Sequence, residues 1–251
     1  LLSVTSPSTR CAPLRCCAAQ HRETGPSDPL RAPSGATKVV VGKPPVPLPT
    51  GLSEPAGTVV PMSTDRGWVI VDVETTGTDF RTDRILSVAA LAMTSDGTIV
   101  DIMSTLLNPG VDPGPTHIHG LTAAALAGAP QFHQVSAELA AMLRGRTLVA
   151  HNADFDYGFL AAEARRGAIE LPVASLLCTV EVAQHLQLDL ANLKLTTLAG
   201  HYRVEQMRPH DALDDASVLA RIFQQMLADA SRTAIPLPIR PASVPAGLLS
   251  A

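Results

Sequence analysis

The chain has 251 residues, 46% hydrophobic and 17% charged, enough apolar surface for a sizeable core and unlike a wholly disordered composition. Its formal net charge of −4 excludes a global positive field that would draw it to nucleic acid or an anionic membrane, so any grip on nucleic acid must be local or cation-assisted. Cys11, Cys16, Cys17 and Cys178 make neither a disulfide framework nor a zinc spacing, and no apolar run approaches the roughly 20 residues of a membrane span, which points to a cytoplasmic protein with no membrane partner.

Residues 1–63 are rich in Pro, Ser, Ala and Thr without a sustained helical or strand period, and read as a disordered leader. From Gly67 the texture changes. "GWVIVDVETTG" is a β-branched run closed by Gly77, and "RILSVAALAMTSDGTIVDIMSTLLNPG" reads as two strands joined by the turn "SDG", so a three-stranded antiparallel meander is expected. "LTAAALAGA" and "QFHQVSAELAAMLRG" read as helices, followed by a short buried strand "TLVAH" and a helix beginning near Asp154. Three more helical segments are predicted, over about 179–188, 192–202 and 211–229, with Cys178 as a small buried hydrophobe before them. The expected organisation is one α/β domain over 64–230, with a central sheet of three antiparallel strands plus parallel strands flanked by helices, and a Pro-rich flexible tail over 231–251.

Asp72 and Glu74 sit at i and i+2 on the first strand, so the pleat points both to one face. Two such acids repel, and a shared proton, a basic partner or a metal cation would hold them; with Arg66 and Arg81 in flanking loops, a hard divalent cation is the economical answer. Asp156 shares a helical face with Phe159 and Leu160, whereas Asp154 projects about 200° away and is placed to cap the helix. In "HDALDDASVLARIFQQM", Asp215 is in register with Ala212, Leu219, Ile222 and Met226, while Asp214 lines up with Val218 and Arg221 on a more exposed side. Periodicity therefore selects Asp156 and Asp215 as the inward acids. His210, in the loop before that helix, has the side chain suited to proton transfer at neutral pH. Four carboxylates and one His suit a two-metal phosphodiesterase, and the chain carries no phosphate-binding P-loop, no nucleophile elbow and no H-E-x-x-H.

"VDVETTG", "HNADFDYGFL" and "HDALDDA", in that order over about 160 residues from Trp68, resemble the three motifs of the DEDDh family of 3′–5′ exonucleases, most closely the branch containing the proofreading epsilon subunit of bacterial DNA polymerase III. The resemblance implies a ribonuclease H-like fold, two Mg²⁺ or Mn²⁺ ions on Asp72, Glu74, Asp156 and Asp215, and His210 as general base. It implies substrate contacts at Thr75, Thr76, His119 of "THIHGLT" and Phe155, the last by packing on a base. Gly114 stands where the epsilon subunit has a Glu that contacts the nucleotide, and His117 reads as an ordinary loop residue. The expected partner is nucleic acid with a 3′ end, single-stranded or frayed DNA or else RNA, and a DNA polymerase catalytic subunit in a proofreading or repair setting. A catalytically silent binding module is the alternative from another class.

Overall fold

A computed structural model of the protein describes residues 67–245 and Leu248; the expected leader over 1–63 lies outside the described residues. The strand Trp68–Thr75 (β1) alternates as its sequence dictates. Val69, Val71 and Val73 enter one core, while Trp68 and Ile70 enter a second core on the opposite face. Ile85–Met93 (β2) pairs antiparallel with β1, and Ile99–Leu106 (β3) pairs antiparallel with β2, completing the expected meander. Every residue of β2 is buried, because both faces of this strand are covered.

A short helix that was not expected, Thr116–His119 (α1), comes next, and the helix expected over "LTAAALAGA" is reduced to the single turn Ala123–Leu126 (α2). Thr122 caps α2 by accepting the Ala125 N–H at 3.3 Å, and Gly128 and Pro130 follow too soon for the helix to continue. Phe132–Leu143 (α3) opens with a reciprocal capping box between Gln131 and Gln134. Thr147–Ala150 (β4) then pairs parallel with β1 and leads into Ala153–Arg166 (α4). Ser175–Cys178 (β5), which sequence periodicity did not distinguish from its apolar surroundings, pairs parallel with β4. Thr179–His185 (α5), Leu195–Tyr202 (α6) and Ala212–Thr233 (α7) follow in the three segments expected to be helical.

The result is a six-stranded mixed sheet in the order β3-β2-β1-β4-β5 with a two-residue sixth strand, Arg240–Pro241 (β6), at the far edge. Helices α3 and α4 pack on the Val69–Val73 face, and α5, α6 and α7 on the Ile70 face, giving three layers and two cores. Trp68 and Phe223 meet edge to face at 5.2 Å in the second core, where a fully buried phenylalanine contributes about 1.5–3 kcal/mol of transfer free energy. This is the expected α/β, ribonuclease H-like arrangement.

The structure corrects two further expectations. In the stretch read as a flexible tail, the described residues up to 245 continue α7 to Thr233, pack Leu237 and Ala242 on the two cores and add β6 to the sheet. Its apolar side chains lack a regular period, so only their tertiary contacts reveal them. Asp154 does not cap α4. The cap residue is Asn152 in the left-handed conformation at φ 74°, and exposed Asp154 instead pairs with Arg240 of β6, which also approaches Glu181 at 3.9 Å. Among the described residues no helix is long and apolar enough to cross a membrane.

Candidate active site

The ends of β1 and β4 and the amino termini of α4 and α7 open onto one cavity of about 290 Å³. Ligand sites of open α/β sheets lie outside the carboxyl ends of their strands for this reason: the chain turns there into helices that leave polar termini facing the gap. Its lining includes Asp72 and Glu74 from β1, Asp156 from the first turn of α4, and His210 and Asp215 at the start of α7. Asp156 and Asp215 are 4% and 8% exposed, so the helical-face reading placed both correctly inward. Asp214, on the neighbouring face, is half-buried and turned to the loop instead.

Carboxylates this close and this buried strongly favour their protonated forms when nothing cationic joins them. Desolvation, then the charges of Asp156, Asp215 and Glu74, hold the Asp72 carboxyl well above the usual range. Burial, followed by Asp215 and Asp211, raises Glu74 to about 7, and burial raises Asp156 to about 8 despite backbone hydrogen bonds that oppose it. Asp215 is raised by burial too, partly offset by the hydrogen bond from Gln206. No Lys or Arg lines the cavity. A divalent cation is the partner this donor set fits: hard oxygen ligands, a surplus of negative charge and an imidazole alongside. Ligand atoms of Glu74, His210 and Asp215 lie within 4.8 Å of one another, close enough for one ion.

The loop that carries His210 is fastened from below. Gln206 Nε2 donates to Asp215 Oδ1 at 2.6 Å and the His210 N–H to Asp215 Oδ2 at 3.0 Å. Asp214 accepts the backbone N–H groups of Met207 and Arg208 at 3.0 and 2.7 Å, and Asp211 caps α7 through the Asp214 N–H. His210 itself has φ 65°, a conformation that is uncommon for a residue with a side chain and is found where surrounding contacts over-determine the backbone. Its ring is thereby exposed at the cavity rim.

Thr75, His119 and Phe155 also line the cavity. The Thr75 hydroxyl donates to the Gly77 carbonyl at 2.6 Å, and Phe155 leans on Phe159 with ring centroids 4.9 Å apart. His119 is 8% exposed; its Nδ1 accepts the Leu121 N–H at 3.0 Å, which leaves the proton on Nε2, a buried donor with no partner. Thr76 is not brought to the cavity. Its side chain and backbone are both engaged with Arg84 in the loop that follows β1. His117 is exposed on α1, as an ordinary surface residue.

Residue-level reading passed over His151, Ile118, Pro115 and Thr78, all of which line the cavity. His151 lies in the same run as Asp156, and its position at the end of the buried strand "TLVA" was the available signal. Burial lowers its pKa, and its Nδ1 is 3.0 Å from the Thr179 hydroxyl. Ile118, 49% exposed, stands on the same cavity as Phe155 and offers a second apolar surface. Gln206 had no local signal, since its role depends on the fold of the loop.

A family model described as "Exonuclease" (RNase_T) matches residues 69–223. The chain is 33% identical over 184 residues to a PolC-type DNA polymerase III of Caldanaerobacter subterraneus subsp. tengcongensis, covering 72% of this chain and 12% of that protein. It is 32% identical over 164 residues to the 3′-5′ exonuclease DinG of Bacillus subtilis, covering 64% of this chain and 17% of that protein. The chain thus spans a small fraction of the length of these curated relatives. Among solved structures, the nuclease domain of 3′hExo, described as a DEDDh family member bound to rAMP, superposes with a TM-score of 0.59 at 18% identity over 73% of this chain and 99% of that one. E. coli exonuclease I in complex with a dT13 oligonucleotide gives a TM-score of 0.60 at 17% identity over 67% and 42%. At these identities the two structures speak for the fold.

Proposed function

The chain belongs to the exonuclease (RNase_T) family, and we propose that it is a metal-dependent 3′–5′ exonuclease releasing nucleoside 5′-monophosphates from the 3′ end of DNA. The observation that carries this reading is the convergence of Asp72, Glu74, Asp156, Asp215 and His210 on one cavity with no Lys or Arg in its lining. The four carboxylates would hold two Mg²⁺ or Mn²⁺ ions. Such ions, when bound, lower the pKa of water and offset charge developing on the phosphate oxygens.

The chain's own residues do the rest. His210, freely exposed at the rim, accepts the proton of the attacking water, as an imidazole near neutral pH is suited to do. The new bond joins the water oxygen to phosphorus, the bond from phosphorus to the 3′ oxygen of the preceding nucleotide breaks, and that oxygen takes up a proton from solvent and leaves as the 3′-hydroxyl of the shortened strand. Asp215, Gln206 and Asp214 hold the His210 loop so that this proton transfer needs no rearrangement of the backbone. Phe155 and Ile118 offer apolar surfaces to the terminal base, which grips any base through its face and reads no sequence. The orphan Nε2–H of His119 is a ready donor to the same nucleotide.

The relatives favour DNA and a polymerase setting, in which the protein removes misincorporated nucleotides beside a replicative polymerase catalytic subunit. The test is shortening of 5′-labelled single-stranded DNA, mismatched duplex DNA and RNA in Mg²⁺, Mn²⁺ and EDTA. Stepwise loss from the 3′ end in either metal and none in EDTA is expected, with DNA cut faster than RNA. Absence of cleavage in both metals overturns the reading, and faster cleavage of RNA replaces DNA proofreading with RNA trimming.

A further inference from the structure

Glu163 is 3% exposed, as buried as the acids of the cavity, yet it lies outside the cavity lining. It sits on the same face of α4 as Asp156, two helical turns along, with Phe159 and Leu160 between them in the core. Its carboxylate is supplied with donors. Arg84 reaches it through Nε at 2.6 Å and Nη2 at 3.0 Å, Arg166 through Nη1 at 3.3 Å, and the Ile85 N–H at 3.4 Å. The fork of Arg84 matches a carboxylate in one planar geometry, so the pair fixes direction as well as distance.

What the two arginines hold besides Glu163 gives the cluster its meaning. Arg84 Nη1 donates to the Pro109 carbonyl at 2.9 Å, and its backbone exchanges hydrogen bonds with Thr76, N–H to Oγ1 at 3.0 Å and carbonyl to N–H at 2.9 Å. Arg166 Nη2 donates to the carbonyls of Phe80 and Arg81 at 2.9 and 3.0 Å. The Phe80 ring fills the space above Gly158, where an added Cβ would come within 2.8 Å of it, and meets Phe159 edge on. Residues 76–84 and the segment from Pro109 to Pro115 are thus both tied to α4 at one buried charge. Both segments wall the cavity, Gly77 and Thr78 from the first and Pro115, leading into Ile118 and His119, from the second. They also touch each other, with Gly114 seated against the Thr76 carbonyl.

We propose that Glu163 is a positioning residue for the terminal-nucleotide pocket: with Arg84 and Arg166 it sets the separation of the two walls and ties both to the helix that carries Asp156. The inference rests on the exonuclease reading of the site for its kinetic consequence and on the clasp itself for its structural one. Neither wall has secondary structure spanning the cavity mouth apart from the short α1, so the buried clasp supplies the order that a helix or strand would otherwise provide. The acids bound for the metal keep their own supports, Asp72 and Glu74 on β1, Asp215 on α7 and Asp156 in the first turn of α4, two turns from the clasp, and the chemistry is therefore left in place when the clasp is loosened.

The experiment uses the full chain with Glu163→Gln, which keeps shape and one acceptor, and Arg84→Lys, which keeps charge and loses the fork. Hydrogen–deuterium exchange of residues 76–84 and 107–115 is read together with kinetics on a single-stranded DNA oligonucleotide in Mn²⁺. Expected are faster exchange in both segments with α7 unchanged, and a KM raised about tenfold at a kcat within about twofold, the size typical of lost supporting contacts around a site. Arg84→Lys gives the same pattern at smaller amplitude. Exchange unchanged in either segment overturns the clasp, as does a lowered kcat at constant KM, or a lowered melting temperature with KM unmoved. Should the wild-type protein cut no oligonucleotide, the exonuclease reading fails on its own, and the exchange result still decides the clasp.

Discussion

Asp154 and Asp156 stand two residues apart and have unrelated fates. The helix turns about 100° per residue, so the second is carried into the core and the first out to solvent. Burial raises the Asp156 carboxyl to about 8, and the cation proposed above would hold it ionised there, whereas Asp154 meets Arg240 at the surface, a pair of the exposed kind that contributes about 0–1 kcal/mol. Asp156→Asn is expected to abolish exonuclease activity in Mg²⁺ with the fold intact, and Asp154→Ala to retain most of it. Circular dichroism and 3′-end trimming assays on both variants check this, and equal losses would contradict the assignment of one ligand and one surface partner. Both the inward direction of Asp156 and that of Asp215 were legible from periodicity. The fate of Asp154 was not, because its partner lies 86 residues away on β6.

At the scale of elements, the site is made where loops press on one another. Gly114 has φ +75°, and a Cβ there would stand 2.2 Å from the Thr76 carbonyl oxygen. The position therefore cannot take the Glu that the epsilon subunit carries without parting the two loops. Gly114→Ala is expected to destabilise the protein by about 1–3 kcal/mol, from the strained backbone and the forced separation together. Urea denaturation measures that cost, and a neutral Gly114→Ala would show that the loops do not need this contact. The same packing explains why Thr76, which the family resemblance placed near the substrate, is occupied with Arg84 while its neighbour Thr75 faces the cavity.

For the whole molecule, the buried acids tie stability to pH and to metal. Glu74 and Asp156, raised to about 7 and about 8, hold protons in the folded state that the unfolded chain has already released above about pH 4. The folded protein binds more protons through that window, so in metal-free buffer these groups cost stability progressively as pH rises and the cost is complete above about pH 8. A divalent cation favours the ionised carboxylates and reverses the cost. Excess Mn²⁺ is therefore expected to raise the melting temperature more at pH 8 than at pH 5, relative to EDTA. Calorimetric scans at the two pH values test it, and an equal gain at both would mean that the metal does not compete with these protons.

The meander, the helices α3, α4 and α7, and the faces on which Asp72, Glu74, Asp156 and Asp215 lie were legible in the sequence, because pleat and helical period are properties of the local backbone. It also carried the three motifs that mark the family. Long-range packing is what joins β5 and β6 to the sheet, tethers the His210 loop through Gln206 and Asp214, and brings Arg84 to Glu163 across 79 residues beside the pocket walls. Those contacts bring together segments whose local sequences carry no record of one another, at distances that the packing of the two cores sets.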